Sequence, residues 1–413
     1  MPRTLIFDLI RTPEVQRLRR IRQLGVGFLV FPGADHTRFG HALGAMALMQ
    51  DALASLEGKG TPITSEEVTA ALATALLHDI GHGPFSHTLE HLLIDQFRHE
   101  DMSRVLLCRL NERFDGRLSL AIDMFDNAYE RTFFHQLISS QLDMDRLDYL
   151  RRDAFYTGVA EGQVGVQRII KTLCVHPVDG PPGAQIAVEA KGMYAVENFL
   201  LARRLMYWQV YLHKTVLAGD HLLTAIIRRA RHLLQSGARH MLQSGSPDFL
   251  FFLNHTVDGS EIEQPDVVDA YCRLDDTDLL YTLKRWQDTG DPILSDLTRR
   301  FVNRDFFRVT FLDNEPAADT SGSWGDRIRS WMIEHGLTST VSAANDVQYY
   351  LSRAVSRHFA YERIADSIRV IDRRGTVREL SEMSNTVSVP ALTRFEEKPY
   401  LCYPKEVDLL PVT

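Results

Sequence analysis

The chain has 413 residues, 45% hydrophobic and 24% charged, with a net charge of −8. That balance belongs to a globular protein with material for a large core, and it excludes a global basic field of the kind that binds nucleic acid. No apolar run reaches the ~18 residues a membrane helix needs, the start lacks the apolar stretch of a signal peptide, and Cys108, Cys174, Cys272 and Cys402 are too dispersed for a metal knuckle or a redox pair; a cytoplasmic protein with reduced thiols is expected, with no membrane partner.

Thr12-Pro13 reads as the N-cap and first-turn proline of a helix carrying Val15, Leu18, Ile21 and Leu24 at helical spacing. Arg17, Arg19, Arg20 and Arg22 accompany it, a cluster that reads equally as a solvated face or as an anion-binding one. The alanine- and leucine-rich run 41–57 contains no proline and is expected to be helical. Thr64 with Glu67 three residues on is a capping-box signature for a helix over 64–79, which Gly81, Gly83 and Pro84 bring to an end. Helices are expected near 86–97, 99–112 and 144–156, and two over 192–234, apolar on more than one side as buried or interface helices are. The turn-rich segment 176–192 carries a short strand. Further on, 306–313 and 368–380 read as strands, the latter as a hairpin around Arg374-Gly375. The expected fold is mainly α, a helical body over residues 1–300 followed by a smaller α+β region over 301–413.

Five of the 16 histidines, His78, His82, His87, His91 and His99, crowd into one stretch beside Asp79. Imidazoles and carboxylates in such a cluster serve as metal ligands or as acid/base groups. Neighbours on a helix diverge by about 100°, so His78 and Asp79 converge on one ion only at a helix end. Two ligands make a weak site, and the others must come from distant segments. His41 is one candidate, and the segment 143-DMDRLDYLRRD-153 supplies Asp143, Asp145 and Asp148, among which spacing does not choose. Arg38, close to His41, is suited to hold a phosphate oxygen.

Five ordered blocks now stand out: 13-PEVQRLRRIRQLG-25, 31-FPGADHTRFGHALG-44, 77-LHDIGHGPFSH-87, 140-SQLDMDRLDYLRRD-153 and 207-YWQVYLHK-214. Together they resemble the HD-domain phosphohydrolases, and within these the deoxynucleoside triphosphate triphosphohydrolases. The resemblance implies an HD-domain helical core that hydrolyses dNTPs to deoxynucleoside and inorganic triphosphate. It implies a divalent metal ion (Mg, Mn, Fe, Zn, Ni or Co) on His41, His78, Asp79 and Asp145. His82, His87 and His99 match active-site histidines, with Glu90 and Glu100 the carboxylates near them. Of these, His87 is the first choice for protonating the leaving oxygen, and His99 the second. Gln23 and Leu24 match residues that contact deoxyribose, and Arg38, Arg146, Tyr149, Asp153 and Tyr211 match further substrate positions.

The same resemblance implies a homo-oligomer, a dimer or tetramer, with an activating nucleotide at a regulatory site. Gln16, Arg19 and Arg168 match positions of that site. Two residues depart from the vertebrate pattern. Leu212 stands where a glutamine contacts sugar and base, and Arg11 where an aspartate selects guanine. Base preference and guanine-specific activation therefore do not carry over. Two rivals share parts of the pattern. Another HD phosphohydrolase, a nucleotidase or phosphodiesterase, has the metal core without the Gln23-Leu24 and Asp145-to-Asp153 blocks. A regulatory protein that binds nucleotide or single-stranded nucleic acid would use the cluster from Arg17 to Arg22, against the negative net charge.

Overall fold

The computed structural model describes residues 2–177, 183–255, 257–312, 318–358, 367–383 and 396–409, apart from the side chains of Pro2, Arg3, His87, His91, His358 and residues 318–322. Helices α1 (Pro2–Ile10) and α2 (Pro13–Arg17) lead into α3 (Arg38–Glu57), α4 (Ser65–Leu77), α5 (His87–Leu93) and α6 (His99–Arg113). Then follow α7 (Ser119–Phe125), α8 (Phe133–Gln136), α9 (Met144–Thr157), α10 (Val166–Thr172), α11 (Met193–Met206) and α12 (Lys214–Gln235). The body closes with α13 (Pro247–Asn254), α14 (Pro265–Arg273), α15 (Asp276–Trp286) and α16 (Pro292–Val302), and α17 (Ala318–Glu334) lies beyond it. Among these, α3 is the axis of the site: it packs on α4 and α9. Its residues Ala42, Met49 and Ala52 are fully buried.

Local chemistry starts and stops these helices where the site needs them. At α4 the capping box is formed in both directions: Glu67 N donates to Thr64 Oγ1 at 3.2 Å and Thr64 N to Glu67 Oε2 at 2.7 Å. Helix α4 ends at Leu77, so His78 and Asp79 occupy its C-terminal edge. At α9, Asp143 caps the start by accepting from Arg146 N at 2.7 Å, and Gly158, at φ +76°, closes the end.

Two small sheets complete the fold. Strands β2 (Leu173–Pro177), β3 (Ala184–Glu189), β7 (Arg369–Ile371) and β8 (Val377–Glu379) form one sheet in that order, and β5 (Arg308–Phe311), β9 (Glu396–Tyr403) and β6 (Ser352–His358) the other. The pair β1 (Ile94–Asp95) and β4 (Val257–Asp258) is a two-residue parallel ladder. The expected hairpin around Arg374-Gly375 is present as β7 and β8. Strand β3 pairs in parallel with β7, so the first sheet takes strands from both sides of residue 300.

Two expectations are corrected. The helix read from Val15 to Leu24 stops at Arg17, gives one tight turn over Leu18–Arg20, and becomes extended at Ile21. Its backbone groups pair elsewhere: Gln23 N donates to His36 O at 3.0 Å and Arg38 N to Ile21 O at 2.9 Å. The helix expected to 97 ends at Leu93, where the chain turns into β1. The two helices expected over 192–234 are present as α11 and α12, joined by a π-helical turn, Tyr207–Tyr211, a distortion that recurs at functional sites. The turn at 178–182 lies outside the described residues.

Candidate metal centre

Four side chains from three helices meet at one point. His41 comes from the first turn of α3, His78 and Asp79 from the end of α4, and Asp145 from the first turn of α9. His41 Nε2 lies 3.0 Å from Asp145 Oδ1 and 3.7 Å from Asp79 Oδ2. His78 Nε2 lies 3.5 Å from Asp79 Oδ1 and 3.5 Å from Asp145 Oδ1. Adjacent ligands of an ion about 2.1 Å away stand roughly 3–3.4 Å apart, close to this spacing. Both Nε2 atoms are buried without a hydrogen-bond partner, an expense that a bound cation would relieve. The donor set of imidazole and carboxylate thus fits a divalent metal.

The reverse edges of both rings are fixed. His41 Nδ1 pairs with Asp148 Oδ2 at 2.9 Å, and Asp148 in turn accepts two bonds from Arg152. His78 Nδ1 donates to the Ala75 carbonyl at 2.9 Å. Such partners set the tautomer that turns Nε2 to the ion. Gly44 makes the approach possible: a Cβ there would stand 2.0 Å from Asp148 Oδ1. Burial pulls both histidines down, but Asp145 and Asp148 outweigh it for His41, held at about 10, and Asp79 and Asp145 for His78, held at about 9. The carboxylates therefore draw positive charge into this cluster.

A loop, Gly81–Ser86, borders the cluster. His82 and His99 stack with centroids 3.7 Å apart and planes 15° from parallel. Near-parallel rings do not aim two nitrogen lone pairs at one point, so this pair suits acid/base or substrate contact better than joint ligation of one ion. Burial, then the nearby Arg38, pushes His82 well below its usual range and keeps it neutral. His99 Nδ1 pairs with Glu90 Oε1 at 2.9 Å and lies 3.5 Å from Glu100 Oε2. Gly81 permits the stack, since a Cβ there would stand 2.2 Å from the His99 carbonyl. His87 opens α5, and its side chain lies outside the described ones.

Remote side chains pin this loop. The fully buried Arg17 donates twice to the His82 carbonyl, at 2.8 and 3.0 Å, and Tyr271 Oη donates to the Gly81 carbonyl at 2.7 Å. Phe85 and Ser86 hold φ of +50° and +42°, strained for residues with side chains and persistent only under such restraint. The solvated-face reading of the arginine cluster fails at the buried Arg17 and holds for the exposed Arg19 and Arg20. Arg17 grips the loop, Arg20 pairs with Asp275, Arg22 with Asp35 at 2.6 Å, and Arg19 lies 3.7 Å over the Phe39 ring.

One cavity of about 430 Å³ opens onto the cluster. Asp79, Asp145, Arg38, His82, His99 and Glu100 line one part of it, and Gln23, Leu24, Tyr149, Asp153 and Tyr211 another. Arg38 donates to Asp79 Oδ2 at 2.7 Å and to Ser86 Oγ at 2.8 Å. The strand-like bridge between Arg22 and Thr37 sets Gln23 opposite His36 and Arg38 opposite Ile21. Gln23 Oε1 is buried with no hydrogen-bond partner. Asp153 accepts from Tyr211 Oη at 2.7 Å and pairs with His36 Nε2 at 2.7 Å. Arg146 turns instead to Asp143, at 3.2 Å, and is not on the cavity wall. Besides glycine and apolar wall residues, sequence reasoning missed the polar Ser86, Thr88, Tyr207 and Asp220, which line the cavity. Thr88 Oγ1 donates to Asp220 Oδ1 at 2.6 Å. Ser86 and Tyr207 fall inside the blocks 77–87 and 207–214, which could have flagged them, whereas Thr88 and Asp220 carry no periodic or motif signal.

Residues 38–153 match the HD domain, a span holding every member of the metal cluster. A crystal structure of a phosphohydrolase from Bacteroides thetaiotaomicron is 42% identical and superposes with a TM-score of 0.86, over 96% of this chain and 94% of that one. The uncharacterised protein YwfO of Bacillus subtilis is 34% identical over 98% of this chain and 89% of its own. This chain belongs to the HD-domain phosphohydrolase family. Human SAMHD1, a deoxynucleoside triphosphate triphosphohydrolase, is 27% identical over 55% of this chain and 42% of its own length. The resemblance read from the five blocks is borne out at the level of the family.

The residues matched to a regulatory site in this HD phosphohydrolase are not gathered within one chain. Gln16 Oε1 accepts from Arg19 Nε at 2.9 Å, at the start of α3 beside Phe39. Arg168 donates to the Lys191 carbonyl at 2.9 Å, and its neighbour Gln167 reaches Asp51. Asp51 is about 18 Å along α3 from Phe39 at 1.5 Å per residue. Among the described residues no helix is long and apolar enough to cross a membrane, and all four cysteines are free thiols.

Proposed function

We propose that this chain hydrolyses deoxynucleoside triphosphates to deoxynucleoside and inorganic triphosphate. One observation carries the reading: a single cavity is lined at once by Asp79 and Asp145 of the metal cluster, by Arg38, by the His82–His99 pair and by Gln23, Leu24 and Tyr149. A mononucleotide with its triphosphate needs these four kinds of wall together. His41, His78, Asp79 and Asp145 would hold the divalent ion, which when bound polarises a phosphate oxygen and acidifies water. Arg38 offsets phosphate charge from a guanidinium already fixed by Asp79 and Ser86. Burial and Arg38 push His82 well below its usual range, so it serves as a hydrogen-bonding wall residue and not as the proton donor to the leaving 5′ oxygen. We assign that proton to His87 first and to His99, backed by Glu90, second.

The sugar is read by shape and one polar contact. The unpartnered Gln23 Oε1 accepts from the 3′-hydroxyl, and Leu24 and Tyr149 leave a 2′-hydroxyl without a partner, at a cost of about 1–3 kcal/mol. A nucleotidase or phosphodiesterase would need the same metal core, and nothing in the Gln23–Leu24 wall favours it. The burial of Arg17 under the His82 carbonyl and the net charge of −8 argue against a strand-binding role. The parts of the assignment that reach beyond one chain, a dimer or tetramer and an activating nucleotide on Gln16, Arg19 and Arg168, follow from the likeness to the dNTPases. Each dNTP is supplied with Mn²⁺ or Mg²⁺ and the products are separated by anion-exchange chromatography. Intact triphosphate is expected. Pyrophosphate or monophosphate alone would overturn the reading while leaving the metal centre in place.

A further inference from the structure

Asp276 is the first residue of α15, far in sequence from the cavity, and only 1% exposed. Its neighbour Asp275 caps that helix, accepting from Thr277 N at 2.9 Å. Asp276 does something else. Its Oδ2 accepts from the Arg22 backbone N–H at 2.9 Å, and its Oδ1 from the Phe85 backbone N–H at 3.0 Å. The Arg22 guanidinium lies 3.6 Å from Oδ2.

The two amides belong to two separate segments, which meet again where Gly25 packs on the Phe85 backbone. Arg22 precedes Gln23 and Leu24, and Phe85 precedes Ser86, whose hydroxyl receives Arg38. Neither segment is held by regular structure: Ile21–Gln23 is extended with one bridge, and Phe85 and Ser86 are strained at positive φ. A carboxylate presents acceptors on both oxygens, whereas an amide side chain offers one acceptor and one donor. Burial raises the Asp276 carboxyl to about 6, so at neutral pH the ionised form that accepts both bonds prevails.

We propose that Asp276 is a positioning residue that locks the Gln23–Leu24 wall to the Phe85–Ser86 loop, and so sets how strictly the cavity rejects a 2′-hydroxyl. The inference rests on the dNTP reading given above. In Asp276→Asn one acceptor remains and the amide NH₂ faces a backbone N–H, while in Asp276→Ala both backbone groups lose their partner. The wall then shifts away from the loop by the slack this leaves.

The test uses the full chain with Mn²⁺ and compares kcat and KM for a dNTP and the matching ribonucleotide. Asp276→Asn is expected to raise KM for the dNTP and to narrow the deoxy-to-ribo ratio of kcat/KM by roughly tenfold. Asp276→Ala narrows it further; if that variant does not fold, Asp276→Asn carries the test. Mn²⁺ affinity, titrated without nucleotide, stays within about twofold, because the metal cluster is not touched. Amide exchange at Arg22 and Phe85 speeds up while amides of α3 and α4 keep their protection. An equal loss on both sugars that tracks the folded fraction, with the ratio unchanged, overturns the proposal. If the wild-type chain releases triphosphate from no dNTP, the dNTP reading falls by itself. The exchange result then decides separately: faster exchange at both amides supports the Asp276 lock, and unchanged exchange overturns it.

Discussion

His41 and Asp148 are joined by a 2.9 Å contact through Nδ1, so the orientation of a metal ligand on α3 is set by a carboxylate on α9. Asp148→Ala removes that hold and leaves Arg152 without its partner. Mn²⁺ affinity is expected to fall roughly 10–100-fold, read by calorimetric titration. An unchanged affinity would mean that His41 keeps its ring orientation by packing alone.

Arg38 bridges Asp79 and Ser86 with two different nitrogens, which one ammonium cannot reproduce. Arg38→Lys should lower kcat by about 10²-fold while Mn²⁺ still binds. Loss of metal binding in parallel with activity would reassign Arg38 from phosphate holder to support for Asp79.

Gln23→Leu removes the buried acceptor without opening the wall. It should cost about 1–3 kcal/mol in kcat/KM for dNTPs and leave 2′,3′-dideoxy substrates unaffected, since these bring no 3′-hydroxyl. Equal losses on both substrate types would place the 3′-hydroxyl elsewhere.

Gly81→Ala puts a Cβ 2.2 Å from the His99 carbonyl and 2.3 Å from Ser103 N, both backbone atoms. The start of α6 must move, taking His99 off His82. Overpacking of this kind destabilises by about 1–3 kcal/mol. The informative result is a fall in kcat at temperatures where the variant remains folded, with KM little changed.

Asp220 supplies a pH signature outside the metal cluster. Burial, partly offset by the Thr88 bond, raises its carboxyl to about 7. An unfolded chain releases that proton near pH ~3.9. Between those values the native state holds a proton that the unfolded state has lost, so this group's contribution to stability falls as pH rises and levels off above about 7. Asp220→Asn removes the titration. Its melting temperature should exceed that of wild type at about pH 8, with the gap closing towards about pH 5. Parallel melting curves across that range would show that Asp220 does not titrate as described.

Much of the metal site was legible because its residues sit at helix ends that the sequence marks. Thr64 and Glu67 start α4, the glycines after Asp79 stop it, and His78 and Asp79 fall at that edge. What spacing left open was decided by the approach of α9 to α3. Asp145 faces the cluster, Asp148 stands behind His41, and Asp143 spends its carboxylate on capping. No local pattern distinguishes three aspartates one turn apart. Arg17 misleads for a related reason: a basic residue in a basic run looks solvated, yet its guanidinium reaches a carbonyl 65 positions away. Thr88 and Asp220, and Asp276 with Arg22 and Phe85, are pairings made only by the finished fold.

The pairing of β3 with β7 carries a consequence for dissecting the molecule. A chain cut near residue 300 would keep α3, α4 and α9 yet strip β3 of its parallel neighbour, leaving Val188 and Glu189 on a raw sheet edge that other chains can template on. The two halves are therefore poor candidates for separate expression, and heat should melt them in one transition.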